Sequence, residues 1–150
     1  MIETRYMGID PGKSGGWAVL NQDGTVWGVG KNSDLDTLFT ALQLPRLTIM
    51  MEKVGASPQM GTKSAFSFGE SYGFLNGFVT AVWGTPLLVN PTKWQSEFRL
   101  ILSGRKLGRG TTAKKNANKA KAEELFPGQR ITHATADALL IAEYCRRIHT

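Results

Sequence analysis

The chain has little cysteine, little acid and no long apolar run. Cys145 is the only cysteine in 150 residues. It excludes an internal disulfide and a cysteine-based zinc site, and it suits a reducing compartment. No apolar stretch approaches the roughly 20 residues that a membrane-spanning helix needs. The N-terminus carries Glu3 and Arg5 and no apolar core of signal-peptide length, so a soluble protein is expected. Acidic residues number 12 against 18 Lys and Arg, a net charge of +6. An anionic partner fits that balance, nucleic acid before a membrane surface.

Hydrophobic residues make up 41% and charged residues 20%, ordinary values for a chain that folds as one domain over residues 1–150. The stretch Tyr6-Met7-Gly8-Ile9-Asp10-Pro11-Gly12 sets an aspartate where an apolar strand runs into a glycine-rich turn. A carboxylate at such a boundary can hold a cation without the full cost of burying a lone charge, or it can simply cap its own turn. Residues 15–20 read as an antiparallel partner, Asn21–Gly24 as a hairpin turn and Thr25–Gly30 as a third strand. Ser33 is expected to cap a helix running to about Gln43. Leu47–Met51 reads as a strand buried on both faces and ends in Glu52, a second strand-end carboxylate.

A loop over 53–62 carries Met60 near its tip, and a long helix is expected over Lys63–Trp83. Gly69, Gly73 and Gly77 recur every fourth residue along it. Each costs about 1 kcal/mol against alanine in a helix interior, so the ridge calls for a compensating close contact, within the chain or with another. Leu87–Val89 reads as a short buried strand. Helices are expected from Thr92, with Trp94 and Phe98 on one face, over Ala113–Phe126, and over Ala134–Ile148. The order gives an α/β chain, a mixed sheet with helices on its faces.

Between Arg99 and Lys121 stand Arg99, Arg105, Lys106, Arg109, Lys114, Lys115, Lys119 and Lys121, with no acidic residue among them. Charge runs are commonly solvated helix faces. Here a glycine-rich lead-in and a helix N-terminus near Thr112 favour phosphate contact. Lys13 in the first turn and Lys63 at the head of the long helix join these candidates.

The last helix opens His133-Ala134-Thr135-Ala136-Asp137, with His133 and Asp137 on one face. An aspartate in an apolar helical run needs a partner, a hydrogen bond or a metal. Asp10, Glu52 and Asp137 are hard oxygen donors of the kind that magnesium and manganese prefer. Two such ions a few Å apart can support phosphodiester hydrolysis, with a basic groove holding the substrate.

GIDPGKSGG with its hairpin, MEKV at a strand end, FSFGESYGFLNGFV, TPLLVNPTKWQSEF and HATADALLIAEY occur in that order. The set resembles the RuvC-type Holliday junction resolvases of the ribonuclease-H-like superfamily, nearest the compact branch of phages, poxviruses and chloroplasts. The resemblance implies a ribonuclease-H-like fold, a mixed five-stranded sheet flanked by helices on both faces. It implies a homodimer that resolves four-way DNA junctions by paired symmetric nicks, in the cytoplasm of a bacterium or phage-infected cell, or in an organelle after loss of a transit peptide. No small-molecule cofactor and no membrane enter this reading.

Carried over by position, Asp10 would bridge two Mg2+ or Mn2+ ions, with Glu52 and Asp137 as the other carboxylate ligands. His133 takes the fourth catalytic place, as a ligand or as a group orienting the attacking water. Its spacing departs from the family pattern, and a charged imidazole there would oppose the cations at mildly acid pH. The resemblance sets the dimer interface along the glycine ridge. It also sets Met60 and Phe66 where side chains enter the junction centre, with core packing the alternative for Phe66 and Phe68. Lys114 and Lys115 would meet phosphate. Three rivals remain at this level: an actin-like phosphate loop, which lacks its second loop here; a junction binder without catalysis; and a nuclease for other branched DNA such as flaps or forks.

Overall fold

A computed structural model describes residues 1–102, 105–106 and 110–150. Strands β1 (Arg5–Ile9), β2 (Gly16–Leu20) and β3 (Val26–Lys31) form the expected antiparallel meander. Helix α1 (Leu35–Leu42) leads to β4 (Leu47–Glu52), which returns parallel to β1. The long α2 (Thr62–Val82) precedes β5 (Leu87–Val89), parallel to β4. Then come α3 (Pro91–Glu97), the two-residue strands β6 (Ile101–Leu102) and β7 (Arg105–Lys106), α4 (Gly110–Leu125) and α5 (His133–His149). Among the described residues the main sheet has five strands in the order β3-β2-β1-β4-β5. None of the described helices is long and apolar enough to cross a membrane.

Alternation along the strands divides the core in two. Met7, Ile9, Val19, Ile49 and Met51 pack with Leu38, Leu42, Leu75 and Val79 of α1 and α2. Tyr6, Ala18, Leu20 and Met50 pack on the other face with Trp94, Ala122 and the apolar side of α5. Helices therefore cover both faces.

Helix α5 lies unusually close to the sheet, and two glycines permit it. A Cβ on Gly8 would strike backbone atoms of Ala138, Ile141 and Ala142, and one on Gly16 would come 2.6 Å from the Ala134 carbonyl oxygen. The alanines of α5 and the glycines beneath them thus bring Asp137 down toward the end of β1. Gly8→Ala is expected to destabilise the fold by about 2–3 kcal/mol, since backbone rather than a mobile side chain must yield. Urea unfolding measures this, and an unchanged midpoint would show that α5 can rise off the sheet freely.

Two expectations need correction. Asp34 rather than Ser33 caps α1, its carboxylate accepting from the Thr37 N–H at 3.3 Å. Strand β5 lies at the sheet edge, so Leu87 and Leu88 are exposed and only Val89 is buried. Helix α5 opens at His133, as expected, and the Thr132 N–H before it donates to Thr135 Oγ1 at 3.2 Å.

Candidate active site and nucleic-acid interface

Asp10 follows β1 directly. Its N–H donates to the Gly16 carbonyl at 2.9 Å, and its own carbonyl accepts from Asn32 Nδ2 at 2.6 Å. The Asn32 N–H in turn reaches the Gly15 carbonyl at 3.2 Å, so this side chain from the end of β3 staples the turn. The carboxylate has one weak local donor, the Gly12 N–H at 3.5 Å from Oδ1. Burial, then the charges of Asp137 and Glu52, push the Asp10 carboxyl up to about 7, against smaller opposing effects of the Gly12 N–H and Lys115. Three elements distant in sequence therefore place their carboxylates in one electrostatic field, where repulsion adds to desolvation.

Glu52, at the end of β4, accepts at Oε2 from the indole N–H of Trp94 on α3, at 2.7 Å. Asp137, in the first turns of α5, accepts at Oδ1 from Asn118 Nδ2 of α4, at 2.9 Å. Its carboxyl is raised by burial, against the Asn118 bond and the positive fields of Lys114, Lys115 and His133. His133 Nε2 lies 3.1 Å from Asn116 Oδ1. In the neutral Nε2–H tautomer this nitrogen donates to the Asn116 oxygen and Nδ1 stays available for ligation or proton transfer. Asn116 and Asn118 went unnoticed in the sequence, although two asparagines inside a helix of strong formers are a signal of side-chain work. For Trp94 the sequence gives only a place on one helix face with Phe98.

The three carboxylates form an all-oxygen, anionic donor set of the kind that suits a hard divalent cation. Among the described residues, however, no three of His, Cys, Asp and Glu stand close enough to hold one ion.

The basic candidates separate. Lys114 and Lys115 act on the carboxylate site, while Lys119 and Lys121 pair with Glu123 at 3.3 Å and Glu124 at 3.1 Å as ordinary surface ion pairs. Arg109 and the side chains of Arg105 and Lys106 lie outside the described residues. Lys13 and Lys63 share a groove of about 360 Å³ with Ser64, Ser67, Phe68 and Ser71. Lysine and hydroxyl donors beside an aromatic ring suit a sugar–phosphate chain. The serines were not singled out from the sequence. Phe66 is 73% exposed, which removes core packing as its role, while Phe68 is half-buried and Met60 partly covered.

Gly69, Gly73 and Gly77 have no described atom within 4 Å of where a Cβ would stand. At 100° per residue, Gly73 and Gly77 lie about 200° from Leu75 and Val79, the residues that α2 buries, so the ridge faces away from the core. Its compensating contact is not found among the described residues of this chain.

No protein-family model matches this chain, and no curated protein matches it. A solved structure, T. thermophilus RuvC in complex with Holliday junction substrate, is similar to it. The TM-score is 0.58 at 16% sequence identity, over 93% of this chain and 90% of the other. At that identity the likeness defines the fold alone: the chain has the RuvC-like form of the ribonuclease-H-like fold.

Proposed function

We propose that this protein is a divalent-cation-dependent endonuclease that resolves four-way DNA junctions. The carrying observation is the shared field of Asp10, Glu52 and Asp137, drawn from β1, β4 and α5. Lys114 and Lys115 beside it, and the Lys13–Lys63 groove, offer positive charge to a polyanion. Asp10, Glu52 and Asp137 would hold the cations, with His133 as the fourth member. Two Mg2+ or Mn2+ ions, when bound, would supply Lewis-acid activation of water and charge stabilisation at the leaving oxygen. The chain's own part is to orient the ligands, hold the strand through its lysines, and accept or guide a proton at His133 Nδ1. The RuvC match comes from a complex with Holliday junction substrate, which favours branched DNA. The FGxxYG and ADALLIAxY-like signatures support the compact phage, poxvirus and chloroplast branch.

The test is cleavage of a synthetic four-way junction beside linear duplex of the same sequence, in Mg2+ and in EDTA. Symmetric nicks confined to the junction and lost in EDTA are expected. Equal cutting of the linear duplex defeats junction resolution, and flap or fork cutting without junction cutting gives the other branched-DNA nuclease.

We infer further that two copies associate through the outer face of α2. Four observations support it: the contact-free glycine ridge, the exposed rings of Phe66 and Phe74, the burial of only Leu75 and Val79 along 21 residues, and the cost of three helix glycines. Gly73→Glu should convert the dimer to a monomer by light scattering while leaving the circular dichroism spectrum intact. A wild type that is monomeric at working concentrations would remove this reading.

A further inference from the structure

We propose that Trp94 is a positioning residue for the cation site. Its buried indole N–H aims the Glu52 carboxylate for ligation. The inference rests on the cation-dependent reading above. Trp94 is fully buried, and Nε1 donates to Glu52 Oε2 at 2.7 Å across 42 residues of sequence. The ring is packed in the cluster that holds Met50, Val89, Phe98 and the apolar side of α5. It cannot turn without displacing core side chains, so the donor direction is fixed by packing. Pro91 in the first turn of α3 fixes where that helix leaves β5, and hence where the indole lies.

The chemistry of the donor is what separates positioning from neutralisation. A lysine or arginine at this point would cancel the negative charge that a cation needs. An indole N–H is neutral, so it orients one oxygen without itself bringing a charge to the group. Holding a glutamate side chain still costs rotamer freedom. Trp94 meets part of that cost before any ion arrives. The same device recurs at the second carboxylate: Asn118, 2% exposed, donates a neutral amide N–H to Asp137 Oδ1 at 2.9 Å. Two buried neutral donors on two different helices hold two of the three carboxylates. A buried indole also needs an acceptor for its own sake. The experiment must therefore separate service to the site from mere satisfaction of the ring.

Mn2+ affinity of the full chain, stripped with EDTA and dialysed free of it, is measured by calorimetry for wild type and Trp94→Phe, with melting curves alongside. Ligand-orienting contacts of this kind affect metal affinity by about 10–100-fold, and a loss of at least 10-fold is expected in the folded variant. Unchanged Mn2+ affinity in a folded Trp94→Phe protein overturns the proposal, whatever happens to its melting temperature. Should that variant not fold, the wild type carries the test through the indole N–H resonances of its four tryptophans. Mg2+ should move the Trp94 signal through saturation and leave that of exposed Trp27 in place. A stationary Trp94 signal at saturation also overturns it. Wild type that takes up no Mn2+ removes the cation-dependent reading itself, and this inference with it.

Discussion

Replacing Asp10 with asparagine is expected to lower four-way junction cleavage by about 1000-fold or more and to leave junction binding within a few-fold of wild type. Asparagine keeps the shape of the side chain and the backbone bonds to Gly16 and Asn32, neither of which uses the carboxylate. What it removes is the charge on which the other two carboxylates act most directly. A catalytic cation contributes several kcal/mol of transition-state stabilisation, and about 4 kcal/mol corresponds to 1000-fold in rate. Binding depends instead on phosphate contacts, and removing one negative charge beside a polyanion does not weaken those. Single-turnover cleavage in Mg2+ and gel-shift binding in EDTA give the two quantities. An Asp10→Asn protein that cuts at the wild-type rate would end the metal-site reading. One that no longer binds the junction would mean that the turn is a binding element rather than a catalytic one.

Local signals in the sequence carried the frame of that site, and longer-range ones did not. The hairpin chemistry around Asn21–Gly24 and the apolar run closing on Glu52 lead directly to β1–β4, and both strand-end carboxylates fall where expected. Asp137 is legible because a charge in an apolar helical run demands a partner. Leu87-Leu88-Val89 misleads, since an apolar triplet looks alike in a central strand and at an edge, and strand order is a tertiary property. Trp94 and Asn118 reach their carboxylates across 42 and 19 residues. No periodicity within one element reports such a contact. The glycine ridge is a different case: its repeat is plain in the sequence, but the contact that would justify it is not found among the described residues.

Without divalent cation the protein should lose stability between about pH 4 and pH 7, and Asp10→Asn should abolish most of that loss. The folded Asp10 carboxyl titrates at about 7 against 3.8 for the free side chain. Between those values the folded state holds a proton that the unfolded state has released, so stability falls as pH rises and levels off above the folded value. From pH 5 to pH 8 the loss is about 3 kcal/mol, at 1.36 kcal/mol per pH unit. Asp137, also raised by burial, acts in the same direction. Glu143, held below its usual range by Arg146 and Arg147 against its own burial, has the opposite sign. Its contribution is already complete above its unfolded value of 4.5 and adds no slope in this window. For a chain of this length, 3 kcal/mol corresponds to a melting-temperature difference of about 6–12 °C. Thermal melts in EDTA at pH 5 and pH 8 should therefore show wild type falling by that amount and Asp10→Asn falling much less, so that the variant is the more stable protein at pH 8. Mg2+ at pH 8 should raise the melting temperature of wild type more than that of the variant, because a cation offsets the repulsion that burial imposes on the three carboxylates. A wild-type melting temperature that is flat from pH 5 to pH 8, or an Asp10→Asn protein no more stable than wild type at pH 8, would show that Asp10 is ionised and solvated in the folded chain and that the three carboxylates do not share one field.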